Sequence, residues 1–215
     1  MRALIRRFQS KSKGKNNAII IAKNINYKYK VNGNNNHILI NSKNCSINKQ
    51  KINIQIYGNN NSIRIIEPLD ILKLNINIGS LDIPINNSTI YIDKGCSFGY
   101  TEIWVFNNKS NLYIGKDCMF SQNITIKTGE LPHIIYKKDT QELIGQMSNI
   151  NIGNHCWIGE NVIILKNSSI ADNNILGCNA VVTKHFDKQF TVIAGNPAIV
   201  RKENICWGRN KNTLR

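Results

Sequence analysis

The stretch from Ile152 to Lys184, "IGNHCWIGENVIILKNSSIADNNILGCNAVVTK", sets an aliphatic residue at every sixth position: Ile152, Ile158, Ile164, Ile170, Leu176 and Val182. Gly153, Gly159 and Gly177 follow three of them, and Ala171 takes the same slot after Ile170. A second series stands two residues ahead of the first: Ile150, Cys156, Val162, Ser168, Asn174 and Ala180. A helix would return its apolar face at three and four residues, a half-buried strand at two. A period of six fits neither. It fits a chain wound around a triangular prism, three short strands to a coil, with one inward aliphatic on each face. A β-sandwich would need six consecutive coincidences to imitate it.

A looser self-similarity covers the amino-terminal half. "GNNNHILI" (Gly33–Ile40) returns as "GNNNSIRI" (Gly58–Ile65), then as "NNSTIYI" (Asn86–Ile92), "NKSNLYIG" (Asn108–Gly115) and "SNINIG" (Ser148–Gly153). Each copy reads as one corner followed by one strand, because Asn and Gly tolerate the left-handed backbone that a tight corner requires. Measured at Ile40, Ile65, Ile92, Ile114 and Ile152, the copies lie 25, 27, 22 and 38 residues apart. A coil of three hexapeptides needs about 18, so the excess is expected to leave as loops. The largest excess falls between Ile114 and Ile152, where "KTGELPHIIYKKDTQELIGQM" (Lys127–Met147) breaks the pattern. Long loops in compact domains are usually functional.

These patterns divide the 215 residues into a basic amino-terminal arm (1–15), an all-β solenoid (16–202) with a candidate active-site loop (127–149), and a basic tail (203–215). The arm reads as a solvated tail, with a weak peripheral membrane contact as the alternative. A run of about 18 apolar residues would be needed to span a bilayer, and none occurs. The arm's apolar segment is too short for a signal peptide, which makes the cytoplasm the expected compartment. The "AGNPA" turn (Ala194–Ala198) closes the regular coils, and a last strand or short helix precedes the tail with Trp207.

The net charge is +15. No recognition-helix pattern accompanies it, and the lysines are scattered through the coils, so an acidic small molecule or polysaccharide is favoured over nucleic acid. Six cysteines lack the paired short spacing of a metal site, and no metal is expected. Cys96, Cys118 and Cys156 stand two residues before Phe98, Phe120 and Ile158, as Cys45 stands before Ile47; Cys178 beside Leu176 is assigned to the same small buried slot.

Among the histidines, His37 reads as a surface residue, His185 lies beyond the last coil, and His155 is placed mid-face between Gly153 and Trp157. His133, in the loop, suits a general base best. Trp157 precedes an inward Ile158 and should point off the prism, toward a partner subunit or ligand.

"INIGNHCWIGENVIILKNSSIADNNILGCNAVVTK" followed by "VIAGNPAIVRK" resembles the hexapeptide-repeat acyltransferases of the xenobiotic and sugar O-acetyltransferase type. "IGKDCM", the loop histidine and "KENICWGR" most resemble the bacterial capsular polysialic acid O-acetyltransferases. The resemblance implies a left-handed parallel β-helix, a homotrimer with active sites between subunits, acetyl-CoA as donor, and an anionic glycan acceptor. It implies catalytic roles for His133 and Trp157. It implies a coenzyme groove touching Gly159, Gly177, Ala180, Thr183, Lys184, Asn196, Pro197, Arg201 and Lys202. The family often has Asp two residues before the loop histidine. Leu131 stands there, which leaves Glu130 or another subunit to orient the imidazole. An acetyltransferase for another sugar or small molecule, and a non-catalytic carbohydrate-binding or structural β-helix, are the alternatives.

Overall fold

The computed structural model describes residues 10–43, 51–144 and 148–210, and these are strand and turn. The expectations for residues 1–9 of the arm, for Cys45 and for residues 211–215 of the tail fall outside the described residues.

The chain coils around three faces. In the carboxyl-terminal half the first face stacks Asn111–Ile114, Asn149–Ile152, Ser168–Ile170 and His185–Phe186. The second stacks Met119–Phe120, Trp157–Ile158, Ile175–Leu176 and Thr191–Ala194. The third stacks Ile124–Lys127, Ile163–Leu165 and Val181–Val182. Neighbours within each face are parallel, so every coil repeats the one below it.

The register follows the repeat. Ile40, Ile65, Ile92, Ile114, Ile152 and Ile170 are successive partners in one column on the first face. Their side chains are 0–1% exposed, and burying each contributes about 1.5–3 kcal/mol. All six residues of the second series, Ile150 to Ala180, are buried as well.

Corners are set by backbone conformation. His155, Asn161, Asn167, Asn173 and Asn179, six apart, all have φ between 51° and 63°. His155 is therefore a corner residue, not a mid-face one. The six-residue period, counted back from Asn161, puts it in the left-handed slot. In the amino-terminal half each Asn of "GNNN" runs its own ladder. Asn59 Oδ1 accepts from the Asn34 N–H at 2.7 Å, Asn60 Oδ1 from the Asn35 amide at 3.1 Å, and buried Asn36 Oδ1 from the Asn61 N–H at 3.0 Å. The preceding glycines cannot be replaced: a Cβ on Gly33, at φ +148°, would stand 1.8 Å from the Gly58 carbonyl oxygen.

The excess length does not leave only as loops. Part of it lengthens the strands, because Ile alternation extends the pairing. Ile52–Tyr57 has 6 residues, and Asp70–Ile78 and Ser97–Val105 have 9 each. The latter two bend across the second and third faces: Ser97–Phe98 pairs with Met119–Phe120 and Thr101–Trp104 with Ile124–Lys127. The largest excess does leave the prism, as a hairpin in which Ile135–Tyr136 pairs antiparallel with Leu143–Ile144.

The amino-terminal boundary needs correction. Lys11–Lys13, assigned to the arm, is a strand paired with Lys30–Asn32; three polar residues carry no alternation to announce it. After the turn, Ile199–Glu203 pairs antiparallel with Thr191–Ala194, which gives the expected last strand. The tail as far as Asn210 then packs back on the prism through Trp207 and Arg209. Cys96, Cys118 and Cys156 are buried as expected, but Cys178 is exposed. It follows the inward Leu176 by two residues instead of preceding an inward residue, which puts it in the corner. Hydrogen bonding with Cys156 and Cys96, and burial, push the Cys118 thiol well above its usual range.

Candidate active site

The hairpin leaves between the third face, which ends at Lys127, and the first, which resumes at Asn149. His133 is exposed at its base, on the rim of a depression of about 430 Å³ lined by Asn107, Lys109, Glu130, Leu131 and Ile144 among others. The His133 N–H donates to the Glu130 carbonyl at 3.1 Å. The Glu130 carboxylate is paired with Lys166, whose Nζ lies 2.9 Å from Oε2.

Trp157 stands on the second face, 37% exposed, and its indole N–H donates to Ser121 Oγ at 3.3 Å. The returning tail braces it. Trp207 lies 6.1 Å from Trp157, tilted by 44°. Trp207 also stacks on His155, and its indole N–H donates to the His155 carbonyl at 2.8 Å. Asp117 ties this cluster to the prism: Oδ2 is 2.7 Å from His155 Nδ1, and Oδ1 accepts from Arg209 Nε at 2.8 Å. Sequence reasoning missed Asp117, Trp207 and Arg209 as a unit. Trp207 meets His155 across 52 residues and Arg209 meets Asp117 across 92, and separations of that length carry no local signal.

The expected coenzyme residues fall on two edges of the prism. Gly159 and Gly177 follow the second face, their N–H groups bonded to the Leu176 and Ile193 carbonyls at 2.8 Å. The turn with Asn196 and the cis-linked Pro197 lies beside them: the Val181 N–H donates to the Gly195 carbonyl at 3.0 Å, and Arg201 Nε to the Ala194 carbonyl at 3.4 Å. Arg201 and Lys202 are exposed on the capping strand. Thr183 and Lys184 occupy the other edge, between the third face and the first, and are exposed. Ala180 is withdrawn as a contact. Its methyl is 0% exposed, and its N–H and C=O are bonded to Gly177 and Ile163. The inward series claims it.

His133 thus stands on the edge between the third and first faces, and Trp157 on the second face opposite that edge. One prism does not bring them together. Ser169 Oγ and His185 Nδ1, 2.8 Å apart, lie on the first face. His37 is exposed on the same face. Among the described residues no cluster of three His, Cys, Asp or Glu could hold a metal ion.

A wound prism of hexapeptides with one ejected hairpin carrying a histidine defines a class of transferase, and comparison with known proteins places the chain within it. The bacterial transferase hexapeptide family (six repeats) matches residues 149–184. A polysialic acid O-acetyltransferase of Neisseria meningitidis is 36% identical over 177 residues, covering 82% of this chain and 77% of that protein. The crystal structure of the polySia-specific acetyltransferase NeuO superposes with a TM-score of 0.82 at 25% identity, covering 96% of this chain and 91% of the other. That of the polysialic acid O-acetyltransferase OatWY gives 0.76 at 31% identity, covering 95% and 93%. The chain belongs to the hexapeptide-repeat acyltransferases, with the polysialic acid O-acetyltransferases as its relatives. Its fold is the left-handed parallel β-helix expected from the resemblance, and it is an O-acetyltransferase.

Proposed function

We propose that this chain transfers an acetyl group from acetyl-CoA to a hydroxyl of an acidic, sialic-acid-containing capsular or surface polysaccharide, working as a homotrimer in the cytoplasm. The observation that carries the reading is the separation of His133 from Trp157 and Gly159 on one prism. A donor laid along one edge of a subunit meets the hairpin of the next, and a closed ring of heterologous contacts repeats that site in each copy.

In that site His133 takes the proton of the sugar hydroxyl as its oxygen attacks the thioester carbonyl. The carbonyl oxygen gains charge, and the Trp157 indole N–H or a backbone N–H of a corner stabilises it. Collapse forms the ester and expels the CoA thiolate, which receives the proton that His133 holds, so no acyl group is placed on the protein. Juxtaposing the two substrates supplies much of the rate gain. Exposed Lys184, Arg201 and Lys202 match the phosphates of the coenzyme. Glu130, whose Oε2 is paired with Lys166, or a group of a neighbouring subunit orients His133.

The acidic acceptor rests on the +15 charge, which gathers a polyanion, and on the named substrates of the relatives. Thiol release from acetyl-CoA, followed with polysialic acid and with a neutral glycan, tests it. Turnover on polysialic acid with a KM that rises between 0.1 and 1 M salt, where the Debye length falls from about 10 to about 3 Å, is expected. Equal, salt-independent turnover on the neutral glycan would remove the acidic substrate.

A further inference from the structure

The amino-terminal coils carry a second and larger depression, of about 820 Å³, on the outer surface of the third face. Outward residues there form columns along the prism. Lys11, Lys30, Gln55, Asn77 and Trp104 are successive partners in one column, and Lys28, Asn53, Asn75 and Glu102 in the next. At about 4.8 Å per strand the first column spans roughly 19 Å. Lys51 and Lys73 add to the lining, which holds five lysines and no arginine.

Glu102 is the one carboxylate in that lining, and its oxygens are engaged. Tyr100 Oη donates to Oε1 at 2.6 Å, the Asn75 amide to Oε1 at 3.1 Å and the Trp104 indole to Oε2 at 3.3 Å. The Tyr100 hydrogen bond leads in holding this carboxyl below its usual range, against burial. Glu102 thus positions Trp104, whose ring also stacks on Phe106 at 5.7 Å. Asn53 donates to Asn75 Oδ1 at 2.7 Å, so a fixed row of amides runs beside the lysines.

The column does not stop at Trp104. Its next partner is Lys127, from which the hairpin leaves, and the Thr128 N–H donates to the Trp104 carbonyl at 2.9 Å. The groove therefore runs to the base of the element that carries His133.

We propose that this groove is a capture site for a polyanionic glycan, holding several carboxylated sugars of the acceptor while another unit reaches His133. The inference rests on the acidic-acceptor reading above. Lysines are point charges suited to carboxylates spaced along a chain, the Asn and Gln amides suit sugar hydroxyl and acetamido groups, and Tyr29 and Trp104 offer apolar faces to sugar rings. A nucleic acid would be expected to call for arginine forks on its phosphates, which the lining lacks.

Two measurements on the full-length protein test this. The first is anisotropy of fluorescent polysialic acid, long and short, without acetyl-CoA; the second is acceptor KM. Wild type should bind long chains more tightly than short ones. The Lys30→Gln/Lys73→Gln variant should lose about 10-fold or more in long-chain affinity, with a matching rise in long-chain KM, while Lys30→Arg/Lys73→Arg retains both. Unchanged long-chain affinity and KM in the glutamine variant would overturn the groove and leave the acetyltransferase reading standing. Displacement of the glycan by single-stranded DNA of equal charge at lower concentration would overturn the glycan assignment. Length-dependent binding that the glutamine variant loses, in a protein that acetylates no sialic-acid polymer, would support the groove and refute the proposed reaction instead.

Discussion

The imidazole of His155 lies flat against the indole of Trp207, ring centroids 4.2 Å apart and planes 11° from parallel. Both ring nitrogens face acceptors, Asp117 Oδ2 at 2.7 Å and the Trp207 carbonyl at 3.1 Å. A corner residue on the prism is thereby locked to a residue 52 positions later, and Trp157 is braced by the same tail.

Arg209 fastens that tail. It donates to Asp117, to Ser97 Oγ and to the carbonyls of Gly95 and Cys118. Arg209→Ala should lower unfolding stability by about 1–3 kcal/mol, since it strands half-buried acceptors of charged hydrogen bonds. Arg209→Lys should not restore it, because a single ammonium cannot reproduce the planar fork. Urea unfolding with the m-value compared between variants checks both. A change under 0.5 kcal/mol for Arg209→Ala would show that the tail is not fastened there.

The asparagine ladders separate two energetic regimes. Asn61 is buried and joins Asn36 Oδ1, the Ile85 carbonyl and the Ser88 N–H. Asn60 is exposed at φ 57° and joins Asn35 and Asn87. Asn61→Ala should cost about 1–3 kcal/mol through unsatisfied buried groups. Asn60→Gly should be near neutral, because Gly accepts the left-handed corner without strain. Thermal unfolding of the two variants side by side is the measurement, and equal losses would contradict the assignment of buried and exposed ladders.

What the sequence showed of this fold is what local periodicity encodes. The column Ile40, Ile65, Ile92, Ile114, Ile152 could be written down beforehand, because each Ile follows its corner at a fixed offset and a slip of one residue would turn it outward. The hairpin was legible as the place where the period fails. The strand Lys11–Lys13 was not, since its pairing supplies backbone bonds without an apolar face. Nor was the Asp117–Arg209 pair, 92 residues apart. Of the residues named for the site, His133 and Trp157 are where the loop and the period put them. Ala180 fell out because a position in the buried series cannot also face a ligand. The basic groove was read only as scattered charge, because its lysines come from different coils and line up through register alone.

Cysteine reactivity should follow burial. Cys96, Cys118 and Cys156 are buried, and Cys178 and Cys206 are exposed. A maleimide added to native protein should label Cys178 and Cys206 quickly and leave those three unlabelled until denaturant is added, as read by peptide mass mapping. Activity should survive the labelling if no cysteine takes part in the chemistry. Rapid inactivation that acetyl-CoA prevents would point to a reactive thiol near the donor.

The division of the site between subunits makes a prediction that a single-prism site does not. His133→Ala should lower kcat by about 10²–10⁴-fold, the usual cost of losing a general base, with little change in melting temperature, because the ring is exposed. Trp157→Ala should impair turnover separately, by removing an oxyanion donor and the packing against Trp207. Each variant alone then lacks a working site everywhere. When the two are unfolded together in equal amounts and reassembled, some sites pair an intact hairpin from one subunit with an intact Trp157 from its neighbour. In a closed trimer with random assortment, about a quarter of the sites are complete, so activity should return to about a quarter of wild type. Each variant refolded alone gives the baseline. No recovery, with trimers confirmed by sedimentation, would place both residues in a site within one chain.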